Sequence, residues 1–490
     1  MGAESSNPST LYDTNDGEEP LSILKDPDAS GAAPEAGPVV ARDEPRVSFS
    51  EESPAVFSYR SSADRNASRV SGEFAPRRPD SLEDAGLTSE DIERLVTKLL
   101  YTRGAMSGRR MAERLGLPFR LLEPELGRFK SQILVAYRQT AAMGDYEYIP
   151  TDLGSERARR YLKVSTYADV APVPLNDYIE SVAAQSLTKQ RITATELRAA
   201  FEELVLDKSM LDRLGPAINS GRGMFLYGSP GNGKTSIAER ITRCFGTSIW
   251  VPKAISVEGE IIRLFDPVLH DLVEDSPNDL VPGESEEDAR WVRIARPTVV
   301  IGGELTMDQL EMRHNPETNV SEAPLQMKSN CGCFVIDDFG RQRMPTTDLL
   351  NRWIVPLEKR YDFQSLASGK KIEVPFDQLI VFSTNLEPRD LVDEAFLRRI
   401  PYKIEVGDPT EQHFREIFAL VAPGLGFKPN PEVLEYLIET HFRKAERNFR
   451  SCHPRDLLLQ AKSWCHYNEK PLELAAETMD SAVENYFAVM

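Results

Sequence analysis

Cysteine is scarce: five residues in 490. That excludes a disulfide framework and points to a reduced, cytoplasmic protein. A closed zinc site needs about four N or S ligands. The Cys331–Cys333 pair has only Cys244, Cys452-His453 and Cys465-His466 as distant company, none at finger spacing, so the pair reads as small residues entering a buried strand. Also missing is any apolar run near the ~18–20 residues of a membrane helix. The first residues lack the apolar stretch of a secretory leader. Met1-Gly-Ala-Glu-Ser-Ser6 fits the loose myristoylation pattern, but no basic patch follows it, and a protein without membrane attachment is expected. A basic balance is lacking too: the net charge of −19 argues against a chain that coats nucleic acid along its whole length.

What is present is unevenly distributed. Residues 1–85 hold 8 Lys and Arg against 17 Asp and Glu, a net of −9. They are rich in Ser, Pro and Ala, with few apolar residues to offset ordering entropy, and are expected to be a disordered acidic arm. Residues 88–162 reverse the balance to +3, with 13 basic against 10 acidic side chains. After Thr88-Ser89, the spacing of Ile92, Leu95, Val96, Leu99 and Leu100 predicts a capped amphipathic helix. A second helix is expected over 106–116 and a third after Pro118. Then follow strand, Gly144-Asp145 turn, strand and helix. This order over 86–164 resembles a winged helix-turn-helix, which implies either DNA contact or a protein-binding role. Residues 165–184 read as a linker between domains, with its proline-bearing part at 165–175; helices are expected through NDYIESVAAQSL and TATELRAAFEELVLDKSMLDRLGPAI, and from Gly221 strands and helices alternate, as in a parallel α/β core.

The strongest motif is MFLYGSPGNGKTSIAERI, residues 224–241. An apolar strand, Met224–Tyr227, leads into Gly228, Ser229, Pro230, Gly231, Asn232, Gly233, Lys234, Thr235, Ser236, which opens a helix. This is G-x-x-x-x-G-K-[ST] in the strand–loop–helix setting that gives it meaning. Glycines let backbone N–H groups face phosphates, Lys234 reaches the β and γ phosphates, and the Thr235 hydroxyl holds Mg²⁺. A second acidic site is then needed. Phe334–Ile336 is an apolar strand, and the residues after it, Asp337 and Asp338, would lie at the carboxyl edge of the sheet, where ligands bind. Asp337 is expected to hold Mg²⁺ and Asp338 to act on the attacking water. QLIVFSTN (378–385) ends another strand at the polar Asn385. Residues 390–400 are expected to form a helix ending in Arg398 and Arg399, suited to a neighbouring subunit's phosphate. HPRDLLLQAKSW (453–464) begins a helix with Arg455 in its first turn.

In this order the segments resemble the AAA+ ATPase superfamily. GSPGNGKT is similar to Walker A, FVIDD to Walker B, STN to sensor 1, FLRRI to the arginine-finger helix and HPRDLL to sensor 2. The resemblance covers roughly 185–490. It implies an AAA+ P-loop parallel αβα sandwich at 185–408 with a helical lid at 409–490, behind the winged-helix-like α+β domain and the arm. It further implies ATP and Mg²⁺ as cofactors, and Asn385 as sensor. Arg398 or Arg399 would act in trans, and Arg455 would touch the nucleotide from the lid. Assembly into a homo-oligomeric ring, often a hexamer, with a remodelled or loaded protein or nucleoprotein partner, belongs to the same implication. Two departures stand out. Walker B ends Asp-Asp rather than Asp-Glu, as in many helicase loaders and transposition helpers of the superfamily. The stretch from Lys234 to Asp337 is long and includes residues 266–288, nine acids with no Lys or Arg, read as part of a surface insertion at about 264–300. YDFQSLASGKKIEV suggests a hairpin with Lys370 and Lys371 at its tip. The alternatives are an ATP-gated winged-helix DNA-binding regulator and a non-hydrolytic assembly scaffold.

Overall fold

Five short strands send alternate side chains into two separate cores. The computed structural model describes residues 74–246, 248–273 and 286–488, all within the unit 63–490. The strands are β1 (Met224–Tyr227), β2 (Thr298–Ile301), β3 (Cys333–Ile336), β4 (Leu379–Thr384) and β5 (Tyr402–Glu405). Every pairing among them is parallel, and their order across the sheet is β2-β3-β4-β1-β5. Met224, Leu226, Cys333, Val335, Leu379 and Val381 meet Leu197, Leu214, Ile218 and Ile237 on one face. Phe225, Phe334, Ile336, Ile380 and Phe382 meet Leu349, Trp353 and Phe396 on the other. A sheet covered on both faces needs strands that are apolar throughout, which is why these runs do not alternate with polar residues. Each fully buried aliphatic or phenyl side chain contributes about 1.5–3 kcal/mol.

The chain leaves β4 and crosses β1 to reach β5. Strands on both sides of β1 therefore converge on the crevice at its carboxyl end, the usual ligand position of open α/β sheets. After the sheet come the helices Glu411–Gly424, Pro431–Leu437, His453–Tyr467 and Ala476–Phe487. They close on Phe414, Phe418, Leu437, Leu457 and Met479. Before the sheet, helices Ser89–Arg103, Gly108–Leu115 and Phe119–Ser131 precede the antiparallel pair Val135–Thr140 and Tyr146–Pro150. A two-residue strand, Met106–Ser107, adds to that pair. Thr88 caps the first helix through a reciprocal contact with Asp91, and Pro124 stands inside the third without ending it.

Several expectations need correction. The 165–184 stretch is not a bare linker. Val173–Pro174 pairs with Ala254–Val257, an edge position that tolerates proline, while Leu175–Gln185 is the helix expected through NDYIESVAAQSL and buries Tyr178 and Val182. The 264–300 stretch is not all surface loop. Trp291–Ala295 pairs antiparallel with Ser248–Pro252, and Thr298–Ile301 is the edge strand β2. The acidic bias upstream concealed the apolar content that follows it. The arm expected over 1–85 lies outside the described residues as far as 73. Its last part is ordered: Phe74 meets Trp291 edge-on and Ala85 is wholly buried. The helix expected over 390–400 is two short ones, Pro388–Leu391 and Glu394–Arg399, because Asp393 caps the second by accepting the Phe396 N–H.

Candidate functional site

β1 delivers the chain into a tight loop at its carboxyl end. Gly228 has φ +135°, and a Cβ there would stand 2.5 Å from the Val406 carbonyl oxygen. Gly231 has φ +81°, and a Cβ would meet the Cys452 sulfur at 2.6 Å. Only glycine fits either place. Gly233 ends the loop, and Lys234–Arg240 continues as helix. Ser229, Pro230 and Asn232 complete the turn, and Ser236 sits in the first helical turn.

The Lys234 ammonium is buried. It donates to the Gly228 and Ser229 carbonyls, both at 2.9 Å, and to Asn385 Oδ1 at 2.7 Å. Burial holds its pKa below the ordinary lysine value, while Asp337 and Asp338 pull the other way. Asn385 follows β4, and its Nδ2 donates to Asp338 Oδ1 at 3.0 Å. A single amide thus joins the loop lysine to the candidate water-activating acid. Beside it, the Thr235 hydroxyl donates to Asp337 Oδ2 at 2.8 Å. Asp337 is half-buried and Asp338 exposed.

The turn after β3 explains how adjacent acids take different positions. Asp338 has φ +48°, a left-handed conformation that aspartate tolerates better than most residues. Phe339 pins the turn: it is buried, its N–H donates to Ser383 O at 2.8 Å, and its carbonyl accepts from the Thr384 hydroxyl at 2.9 Å. Because Phe339 points into the core, Asp338 is left facing the crevice edge. Strands β1, β3 and β4 each contribute one polar terminus, and the three termini meet.

The helical segment supplies residues that the sequence reading did not single out. The Cys452 N–H donates to Gly231 O at 2.8 Å. Asn232 Nδ2 donates to Asp408 Oδ1 at 2.8 Å, and Arg450 pairs with that same carboxylate. Arg450 is close enough to lower the Lys234 pKa. Arg455, the expected lid arginine, is exposed on the 453–467 helix. It makes no hydrogen bond or ion pair among the described residues. Arg450 precedes the helix in an irregular stretch, so no periodic pattern marked it. Its only sequence signal was a basic residue close before a helix start.

Arg398 and Arg399 lie elsewhere. They line a cleft shared with Arg222, Arg360 and Glu358. Arg222 precedes β1 and Arg399 precedes β5, so the cleft sits at the amino ends of these strands, away from Lys234. Arg399 is held by Glu358 at 2.7 Å and by the Ala395 carbonyl at 3.2 Å. Arg398 is exposed and makes no hydrogen bond or ion pair among the described residues.

A nucleotide with Mg²⁺ fits the donor set. A buried lysine that donates to backbone carbonyls can exchange them for phosphate oxygens, a stronger charge-assisted acceptor. Among the described residues no group of three or more His, Cys, Asp or Glu could hold a metal ion. Mg²⁺ usually keeps waters and binds through one or two protein oxygens plus phosphate, and Thr235 and Asp337 are the residues that would hold it.

Comparisons with known proteins reach part of the chain. A family model described as a domain of unknown function (DUF8689) matches residues 410–485, the helical segment. No curated protein matches. Among solved structures, NtrX from Brucella abortus is 12% identical over 59% of this chain and 56% of that one, with a TM-score of 0.35. NtrX from Brucella abortus in complex with ADP is 13% identical over 68% of this chain and 65% of that one, with a TM-score of 0.36. The chain therefore spans less than two thirds of these neighbours' length, and likeness at this level leaves function to the residues of the site. No described helix is long and apolar enough to cross a membrane.

Proposed function

We propose that this chain is a cytoplasmic, ring-forming ATP hydrolase of the AAA+ type that remodels or loads a protein partner. The observation that carries the reading is the path Lys234–Asn385–Asp338 beside the Thr235–Asp337 contact. Lys234 would bind and orient the phosphates, and Thr235 and Asp337 would hold Mg²⁺, which would supply positive charge to the developing phosphate oxygens. Asp338 orients and polarises the water, and Asn385 holds Asp338 and Lys234 at a fixed separation. Five unbridged cysteines suit a reducing compartment.

The 86–164 segment favours protein over DNA as its target. Helix Phe119–Ser131 exposes Glu123 and Pro124. Its arginines are engaged, Arg120 with Asp80 and Arg128 with Glu125 at 2.7 Å. The helix keeps one further cation, Lys130, which lies over the Tyr137 ring, and so offers few free positive charges to a phosphate backbone.

Nucleotide binding by Lys234→Ala, followed by titration calorimetry with ATP and Mg²⁺, tests the reading. Binding is expected to weaken at least tenfold while the fold persists. Undiminished affinity would exclude this loop as the phosphate site.

A further inference from the structure

The arginine cleft at the amino ends of β1 and β5 has a volume of about 490 Å³, within the range of small-molecule sites. Four guanidinium groups line it, those of Arg222, Arg360, Arg398 and Arg399, against one carboxylate, Glu358. A concave wall of one charge focuses its field and concentrates counter-ions.

The four arginines divide into two that are held and two that are not. Arg360 is engaged by Asp377 at 3.2 Å and donates to the Gln378 carbonyl at 3.3 Å. Arg399 is engaged by Glu358 at 2.7 Å. These two form a fixed part of the wall. Arg222 and Arg398 are exposed, and their side chains make no hydrogen bond or ion pair among the described residues. The held and unheld groups also press on each other. Burial lowers the Arg360 pKa, and the Arg222 charge adds to that against the pull of Asp377. An anion between them would relieve the repulsion.

The backbone beside the cleft is shaped to let the guanidinium groups approach. Gly221 has φ +61°, and a Cβ there would stand 3.0 Å from the Thr188 methyl carbon and 3.3 Å from Arg360 Nη2. A side chain at 221 would therefore push Arg360 away from the turn that carries Arg222. That turn is itself fixed: the Arg222 N–H donates to the Ser220 hydroxyl at 3.1 Å, and Ser220 lines the cleft.

The lining selects the ligand's chemistry. A guanidinium is a planar fork that matches phosphate oxygens two at a time, and two unheld forks suit an anion with more than one phosphate group. The apolar share of the wall is Leu357 and Ala395, and among the described residues no aromatic ring lines the cleft on which a base could stack.

We propose that this cleft is a second anion site, which takes a compact polyphosphate of diphosphate or triphosphate size on Arg222 and Arg398. Arg360 and Arg399 shape the wall behind it. The site belongs to a single chain and depends neither on the phosphate loop nor on assembly. The same chemistry is offered by a free inorganic polyphosphate and by the polyphosphate end of a nucleotide.

Titration calorimetry on the full-length protein tests it. Lys234→Ala weakens the competing phosphate loop, and the probe is inorganic diphosphate, at protein concentrations where sedimentation finds single chains. Saturable binding of one diphosphate per chain is expected. Adding Arg222→Ala and Arg398→Ala to Lys234→Ala should weaken it at least tenfold. ADP is the second arm. Affinity within tenfold of diphosphate, or tighter, assigns the site to the polyphosphate end of a nucleotide, and weaker affinity assigns it to the free anion. No saturable binding to Lys234→Ala would overturn the proposal, as would an affinity indifferent to the two arginines. Binding that appears only on assembly would also overturn it, because the arginines would then serve a neighbouring copy. Arg222→Ala with Arg398→Ala on the native Lys234 background should keep ATP binding at the loop and the native urea midpoint, which shows that the loss is local to the cleft.

Discussion

Asp338 carries a short carboxylate, and its backbone sets where that carboxylate lies. The left-handed turn at φ +48° sets the carboxylate against Asn385 at 3.0 Å. Removing its charge should therefore affect turnover and not binding. Asp338→Asn is expected to bind ATP with near-native affinity while phosphate release falls 10²- to 10⁴-fold, the usual range for a lost acid or base. A stopped-flow phosphate assay beside an equilibrium binding curve reads both. Asp338→Glu should restore little, because the longer side chain must displace the Asn385 amide. At the same scale, Gly154→Ala, in the first turn of the helix Asp152–Val164, reverses an ordinary rule. Alanine normally stabilises a helix over glycine by about 1 kcal/mol. Here the new Cβ would stand 1.9 Å from the Leu134 carbonyl oxygen. The backbone must move, and the substitution should cost about 3 kcal/mol or more, seen as a lowered urea midpoint.

At the scale of elements, the strands that build the site were legible and the loops that complete it were not. Met224–Tyr227, Cys333–Ile336 and Leu379–Thr384 are uninterrupted apolar runs ending in polar residues, a pattern with one natural reading in a parallel sheet. Arg450, Cys452 and Asp408 lie in irregular segments whose approach to the loop depends on how the last four helices pack. Nothing local encodes that. The strand β2 escaped notice because the acidic stretch before it dominated the composition. The 450–453 segment also has a pH response. His453 is packed among Phe442, Tyr486 and Phe487, and its Nδ1 accepts the Arg450 N–H at 3.1 Å. Burial, helped by Arg450 and Arg447 and opposed by Asp456 and Asp408, lowers its pKa from 6.5 to about 4. Above 6.5 the ring is neutral in both folded and unfolded chains. As pH falls from 6.5 towards 4 the unfolded chain takes up a proton that the folded chain refuses, so stability drops across that window and levels below it. His453→Asn keeps an acceptor without the titration. Its melting temperature should fall less than the native protein's between pH 6.5 and 4.5, and equal slopes would remove His453 from the account.

At the scale of the whole molecule, under the proposed ring assembly, the contacts each arginine already makes distinguish which of Arg398 and Arg399 would act in trans. Arg399 already donates to Glu358 and to the Ala395 carbonyl, so using it on a phosphate would first require breaking both contacts. Arg398, exposed and unengaged among the described residues, has no such cost. Arg398→Ala should therefore abolish steady-state ATPase activity by 10³-fold or more, the scale associated with a supplied arginine, with nucleotide affinity unchanged. Arg399→Ala should act mainly through the cleft's packing and leave activity within about tenfold. Mixing decides whether the effect crosses subunits. Lys234→Ala chains keep Arg398 but are expected to bind nucleotide at least tenfold more weakly, and Arg398→Ala chains keep the phosphate loop. Neither is active alone, yet a mixture places an intact arginine beside an intact loop at a fraction of its boundaries. Recovery of turnover on mixing is the expected result, rising with total protein as assembly proceeds. Absence of recovery, with mixed oligomers present by sedimentation, would return Arg398 to a purely structural role.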